Sequence, residues 1–400
     1  MRKKPFLDIF VVGAGNGINA LLGIMFFTAV ARTLPIEDFG KYALLTSLLV
    51  SLSKIMDFGT NSLFVAKSIT KPQQYINRFF TLKIILFFAS ILVGGVSLFY
   101  LKLLSPETLG IFVVGAIGYG INITLFAYFQ RTERFVNAVL LNTIPGAIKA
   151  FTAVLVFTGL FTPNLIDAFA VFSFSILSSF LLAFFLPKDF LKAKFNFKDA
   201  IEFLRETIPA GISQIIKEGW PAIANTLTKI FRTFSDVGIF SLAQKIADIF
   251  TLISMSVFTV LLPKNAHRKN KHQKYDLKET VLLGGGILLL AGIAMIVANY
   301  LTVPVFGEKF SDSLSLLNIL ILAAAVTAIH TFMDNYFFIE EKTKTLMTIT
   351  IGKLGMFILT AVSLIPRFGL IGLASANLIA ALFALVITYG NISRNSNRLS

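Results

Sequence analysis

The chain has 400 residues, of which 56 % are apolar and 14 % charged, where an ordinary soluble domain has about 25 % charged. Mean hydropathy is +0.79. Apolar runs of about 20 residues, long enough to cross a bilayer, fill nearly the whole sequence, which excludes a soluble protein and predicts an all-α polytopic membrane protein. Lys and Arg exceed Asp and Glu by 15 and cysteine is absent, so disulfides, thiol chemistry and cysteine–metal sites are excluded.

Arg2-Lys3-Lys4 precede an apolar run from Asp8 to Ala31 that ends in Ala29-Val30-Ala31 and imitates a signal peptide with its cleavage site. The run is longer than the usual apolar region of such a peptide, and its Arg32-Thr33 tail recurs at Arg232-Thr233. It reads as a retained first helix. Gly13-Ala14-Gly15-Asn16-Gly17 is no dinucleotide fingerprint, because Ile18 stands where a glycine is needed and no strand precedes it. Small residues in a membrane helix serve close packing.

Eleven further spans are predicted at about 38–65, 77–101, 107–129, 136–160, 164–186, 207–231, 237–262, 279–303, 312–339, 345–365 and 369–390. With the N-terminus inside, the inner connections carry 23 Lys and Arg residues. The outer ones carry 7: Arg32, Lys41, Lys102, Lys229, Arg232, Lys309 and Arg367. This asymmetry predicts twelve helices with both termini cytoplasmic. It accounts for most of the net charge by topology and removes nucleic acid as a partner.

Pro187–Glu206 interleaves Phe190, Leu191, Phe195 and Phe197 with Lys188, Lys192, Lys194 and Lys198, the pattern of an amphipathic segment on an anionic leaflet. It divides an expected N-lobe, residues 1–186 with helices 1–6, from a C-lobe, residues 207–400 with helices 7–12. Two runs of six helices make a parallel repeat about an axis along the membrane normal. Three pieces support it: Arg32-Thr33 before Asp38-Phe39-Gly40 matches Arg232-Thr233 before Asp236-Val237-Gly238, and Lys54/Asp57 in helix 2 resembles Lys245/Asp248 in helix 8. Helices 5–6 and 11–12 also share a short loop of the same kind. The basic run Lys264–Lys278, with His267 and His272, reads as a cytoplasmic loop and not as a metal site.

Ionisable groups inside spans are expensive and mark functional candidates. The lysines are Lys54, Lys83, Lys149, Lys217, Lys245 and Lys353; the acids are Asp57, Glu218, Asp248 and Asp334. Lys54/Asp57 and Lys245/Asp248 lie three apart, so each pair either neutralises itself on one helix face or takes part in transport. Lys83, Lys149 and Lys353 have no acid within four residues. Lys83 either snorkels toward the cytoplasm or lines a cavity, and Lys149 and Lys353 are expected to line one. Lys217 and Glu218 point about 100° apart on a helix, so they cannot share a partner, and one is expected to reach the other lobe or water. Gly219 and Pro221 follow at once and are expected to form a hinge. Asn122, Asn142, Asn225 and Gln244 either line a sugar path or bond between helices. Arg32 and Arg232 flank outer turns, as phosphate contacts or helix-end anchors. His330 and Asp334, four apart, form either a proton-sensitive pair or a packed histidine with its partner. No nucleophile–base set, metal spacing or phosphate loop is present, so neither an enzyme nor a cofactor is expected.

Several motifs together carry a resemblance. Ala31-Arg32-Thr33-Leu34 leads to Asp38-Phe39-Gly40-Lys41-Tyr42, and Asp57-Phe58-Gly59 follows in helix 2. Further on come the Pro187–Lys198 linker, Ser235-Asp236-Val237-Gly238-Ile239-Phe240-Ser241, Leu262-Pro263-Lys264, Pro304-Val305-Phe306-Gly307 and Phe368-Gly369-Leu370-Ile371-Gly372-Leu373-Ala374. In this order they resemble the polysaccharide-biosynthesis, or oligosaccharide flippase (Wzx-like), branch of the MATE-like MOP superfamily. The resemblance implies twelve transmembrane helices in two six-helix lobes around a central cavity. It implies alternating access that carries a polyprenyl-(pyro)phosphate-linked oligosaccharide across the cytoplasmic membrane. Expected partners are that substrate, membrane lipids, glycosyltransferases or a polymerase of the same pathway, and H+ or Na+ as a coupling ion. Lipid II flippases are near neighbours but usually add two helices. A cation-coupled multidrug exporter of the same superfamily is the first alternative, and helix 1 lacks the acid it would favour between Ile9 and Ala31. A non-transporting scaffold for glycan assembly is the second, and buried Lys and Asp groups speak against it.

Overall fold

The computed structural model describes residues 5–68, 72–185, 194–248, 277–340 and 342–397, which form helices and turns with no strand among them. The helices are α1 (Pro5–Thr33), α2 (Ile36–Asp57), α3 (Thr60–Lys67), α4 (Pro72–Tyr100), α5 (Pro106–Arg131), α6 (Phe135–Phe157) and α7 (Leu165–Leu177), the last continued as a 3-10 helix over Ser178–Phe185. They are followed by α8 (Phe197–Glu218), α9 (Trp220–Phe231), α10 (Phe234–Ala247), α11 (Leu277–Phe306), α12 (Ser313–Ile339) and α13 (Thr343–Asn397).

Among the described residues nine stretches are long and apolar enough to cross a membrane. The last of them, Thr343–Ser393, contains two of the expected spans. Pro366 removes a helical donor there, and Gly369 leaves helical geometry at φ 58° and ψ −136°. α8 and α9 supply the expected seventh span. α10 begins the eighth, the rest of which lies outside the described residues, as do His267, His272 and the start of the linker, residues 186–193. The molecule is an all-α polytopic membrane protein on the twelve-helix plan.

The chain packs as two compact units, Met1–Ala222 and Ile223–Ser400. In the first, α1 packs on α6, α5 on α7, and α2 touches α4, α5, α7 and α8. In the second, α12 touches α10, α11 and α13. Each unit thus has a central helix: the spans of α2 and α12 are both 61 % buried, whereas that of α11 is 17 % buried. The α11 side chains Leu282, Leu289 and Tyr300 are accordingly exposed, as suits contact with lipid.

Polar side chains in the first unit repair backbone that the sequence breaks. Pro145, inside α6, offers no N–H to the Leu141 carbonyl. An unsatisfied carbonyl in hydrocarbon costs several kcal/mol. Asn122 Nδ2 donates to it at 2.9 Å and Ser179 Oγ at 3.3 Å. Of the two roles open to Asn122, the structure shows interhelical bonding. Asn142 lies beside it, its Oδ1 3.5 Å from Asn122 Nδ2. In the second unit Asn225 Oδ1 accepts from Ser241 at 2.9 Å.

Candidate functional site

α2 does not continue into α3. Phe58 and Gly59 both take left-handed backbone, φ 44° and 71°, and the helix restarts at Thr60. A break inside an apolar span frees carbonyls on one side and N–H groups on the other. Lys83 of α4 donates to the Met56 carbonyl at 3.2 Å and to Asp57 Oδ1 at 3.3 Å. Thr60 Oγ1 donates to the Asp57 carbonyl at 2.5 Å, and the Asn61 N–H donates to Asp57 Oδ1 at 3.2 Å. The Asp57 carboxylate thereby does two things. It neutralises Lys83, and it caps the start of α3, where the helix dipole favours negative charge. Both side chains are buried, 11 % and 7 % exposed.

α8 lies directly on this break. A β-carbon at Gly211 would stand 2.7 Å from the Phe58 ring and 2.8 Å from the Phe58 carbonyl oxygen, and one at Gly59 would stand 3.0 Å from the Gly211 nitrogen. Backbone meets backbone only because both residues lack a side chain. Gly211, Gln214 and Glu218 are spaced three and four apart, so they share one face of α8. Gln214 Nε2 donates to Asp57 Oδ2 at 2.9 Å and lies 3.5 Å from Glu218 Oε1. Glu218 closes the line with Lys54 of α2 at 2.5 Å. The result is a continuous polar row, Lys54–Glu218–Gln214–Asp57–Lys83, with two charges of each sign.

The helix then breaks again. α8 ends at Glu218, and α9 starts at Trp220 with Pro221 in its first turn. At Gly219 a β-carbon would stand 2.7 Å from Ser51 Oγ of α2, so this second break is packed against the same helix as the first.

The other end of α8 is clamped as well. Lys67 pairs with Glu206 at 2.6 Å, and Arg78 pairs with Glu202 at 2.9 Å and with Asp199 at 3.7 Å. Asn196 caps the helix by accepting from the Asp199 N–H at 3.3 Å. The hydrogen bond that Lys67 donates to Glu206 raises the Lys67 pKa above its ordinary 10.5. On the alkaline side the contribution of this pair is therefore complete up to that value and is lost as pH rises through the raised one. Residues 197–206, expected in the interfacial linker, form the first turns of α8.

The pairing differs from two sequence expectations. Lys54 and Asp57 do not neutralise one another, because α2 ends at Asp57 and the chain turns there. Asp57 is directed to α3, α4 and Gln214, while Lys54 meets Glu218. Lys83 does not snorkel; its ammonium group is drawn inward by Asp57 and the vacated Met56 carbonyl. Glu218 reaches Lys54 in the first half of the sequence, while Lys217 is exposed.

Other candidates stand apart from this row. In the first unit the Lys149 ammonium lies 5.0 Å from the centre of the Phe172 ring, and Arg32 is exposed in the last turn of α1. In the second, Lys245 is exposed, and Asp248 accepts from Gln244 of its own helix at 2.8 Å. No ion pair joins Lys245 and Asp248 among the described residues. Lys353 donates to Thr327 Oγ1 at 3.3 Å. His330 and Asp334 are both buried, with Nε2 and Oδ1 3.7 Å apart. Arg232 pairs with Asp236 at 3.4 Å.

Sequence reasoning missed Gln214, Gly211, Asn61 and the acidic face of α8. Gln214 and Gly211 were accessible as residues four and seven before Glu218. Asp199, Glu202 and Glu206, at helical spacing, announce a face that seeks bases.

Two interrupted helices, α2–α3 and α8–α9, thus meet along a row of ionisable and amide side chains. Residues 7–264 match the family described as polysaccharide biosynthesis protein, and the chain belongs to that family. The fold is shared with solved structures. An inward-facing multidrug resistance MATE family transporter of the MOP superfamily superposes with a TM-score of 0.73 at 15 % identity, covering 96 % of each chain. The lipid II flippase MurJ, in an inward closed conformation, superposes with a TM-score of 0.72 at 15 % identity, covering 97 % of this chain and 90 % of its own. An outward-facing MATE family transporter gives 0.64 at 14 % identity, over 98 % of this chain and 97 % of the other. No curated protein matches.

Proposed function

We propose that the chain is a flippase that carries a polyprenyl-(pyro)phosphate-linked oligosaccharide across the cytoplasmic membrane by alternating access, for surface polysaccharide or glycan biosynthesis. Both termini lie in the cytoplasm, with an N-lobe (1–186) and a C-lobe (207–400) joined by the basic linker (187–206). The observation that carries this reading is the charged row between two broken helices in a chain of the polysaccharide biosynthesis family.

The chemistry follows from the substrate. A pyrophosphate head loses its hydration in hydrocarbon unless fixed positive groups and water replace it. In the first unit Lys54 and Lys83 are committed to Glu218 and Asp57, so the row works as a structural and conformational element. Lys149, Lys353 and Lys217 are the phosphate contacts, and Arg32 and Arg232 meet the head at the outer turns. The Gly219–Pro221 interruption lets α8 and α9 change angle. A coupling H+ or Na+ acts on the carboxylates Asp57, Asp248 and Asp334, with His330 as partner of the last. The membrane lipids and the enzymes that build and polymerise the glycan are the partners.

The test is delivery of lipid-linked glycan to the outer leaflet in cells lacking their own flippase. The wild-type chain restores delivery, and Lys149→Gln combined with Lys353→Gln stops it at unchanged protein level. Normal delivery by the double variant would sink the phosphate assignment. A wild-type chain that exports cationic dyes and delivers no glycan would sink the flippase reading itself.

A further inference from the structure

A groove of about 230 Å3 opens between α4 and α5 in the first unit, floored by Lys83, Met56 and Gly120. Its walls are Phe80, Ile84, Phe87 and Phe88 of α4 and Ile117 and Ile121 of α5. The rim is apolar and open, with Phe88 64 % and Ile117 39 % exposed. Beyond Lys83, the other polar residue in the lining is Thr124, whose hydroxyl already donates to the Gly120 carbonyl at 2.7 Å. Water therefore finds few partners here, and an apolar cavity of about 150 Å3 is known to stay dry and take up hydrocarbon.

Depth decides which part of an amphiphile fits. The α4 span begins at Gln74, so at a rise of about 1.5 Å per residue Phe80–Phe88 lies roughly 9 to 21 Å along it. In a hydrocarbon layer about 30 Å thick that is the level of chains and not of headgroups. Mass action favours the bilayer's own chains over a scarce isoprenoid carrier.

We propose that this groove is a binding site for an acyl chain of a bilayer phospholipid, which completes the packing over the Lys83–Asp57 pair. The pair is satisfied from the protein side by Met56, Asn61 and Gln214, and Lys83 also lines this groove. The lipid chain acts as the missing wall. This inference does not depend on what the protein transports.

The experiment uses the full chain in nanodiscs made with a phospholipid that carries a diazirine at mid-chain. Label is expected on Phe87, Phe88, Ile117 and Ile121 in excess of Leu92 and Phe99, which are 69 % and 66 % exposed on the same helix. Gly120→Leu fills the groove from within and loses that label. Gly95→Leu, at a position where nothing stands within 4 Å, gains the same helix propensity and keeps it. Thr124→Leu is a second filling variant should Gly120→Leu not fold. Delipidation then lowers the melting temperature of the wild type and of Gly95→Leu, and leaves the filled variant unshifted. Uniform labelling along α4, equal sensitivity of all variants to delipidation, or loss of the label on adding a small fraction of polyprenyl phosphate would each overturn the assignment.

Discussion

α2 and α10 carry the same short pattern, a lysine and an aspartate three residues apart, and use it differently. In α2 the residues part company, Lys54 to Glu218 and Asp57 to Lys83 and Gln214. In α10 Lys245 is exposed and Asp248 is served by Gln244 one turn earlier. α2 stops at Asp57 and turns through Phe58–Gly59, which creates free donors and acceptors that recruit charge from two other helices. The halves also cap differently. Thr233 and Asp236 form a reciprocal capping box at the start of α10, while α2 begins after Pro35 with no side-chain cap. A short pattern shared in sequence thus does not fix partners.

Four single substitutions and one double variant break or sharpen this contrast, each read by unfolding in mixed detergent. Asp57→Leu has the largest effect, because it leaves Lys83 buried without its carboxylate; removal of one partner from a buried pair costs about 3–5 kcal/mol. Adding Lys83→Met returns most of that loss. Gly211→Val forces β-branched carbons against Phe58 and costs about 1–3 kcal/mol by overpacking. Lys54→Met costs about 1 kcal/mol or less, since Glu218 is 47 % exposed and the pair is screened. Lys245→Met, the matching change in α10, stays within about 0.5 kcal/mol. If Lys245→Met proved as costly as Asp57→Leu, the two regions would be equivalent and the contrast would fail.

Most of the architecture was legible because membrane spans are a composition signal. The spans of α4 to α7, α11 and α12 fall close to the predicted ranges, and the division at Gly369 separates the last two. The break within predicted span 38–65 was not legible, since Asp57-Phe58-Gly59 can end a helix or sit inside one, and only α8 packed against it decides. The candidate site was legible as a set of residue types but not as a set of pairs. Lys54, Asp57, Lys83, Glu218, Gly219 and Pro221 were all identified, and all six lie along the row or at its second break. Which charge meets which depends on contacts between residues up to 164 positions apart, as for Lys54 and Glu218. Intrahelical spacing carries no record of that. His330 and Asp334, whose separation of one turn does predict contact, were found together.

The central claim is that α2 and α8 work as one element through the charged row while the lipid-linked glycan crosses. Reversal of the Lys54–Glu218 pair tests it most directly, with lipid-linked glycan at the outer leaflet as the readout. Lys54→Glu and Glu218→Lys, each placing like charges in contact, abolish delivery singly, and the combination of the two restores it. Delivery that stays as low in the combined variant as in either single one, at equal protein level, would contradict the account.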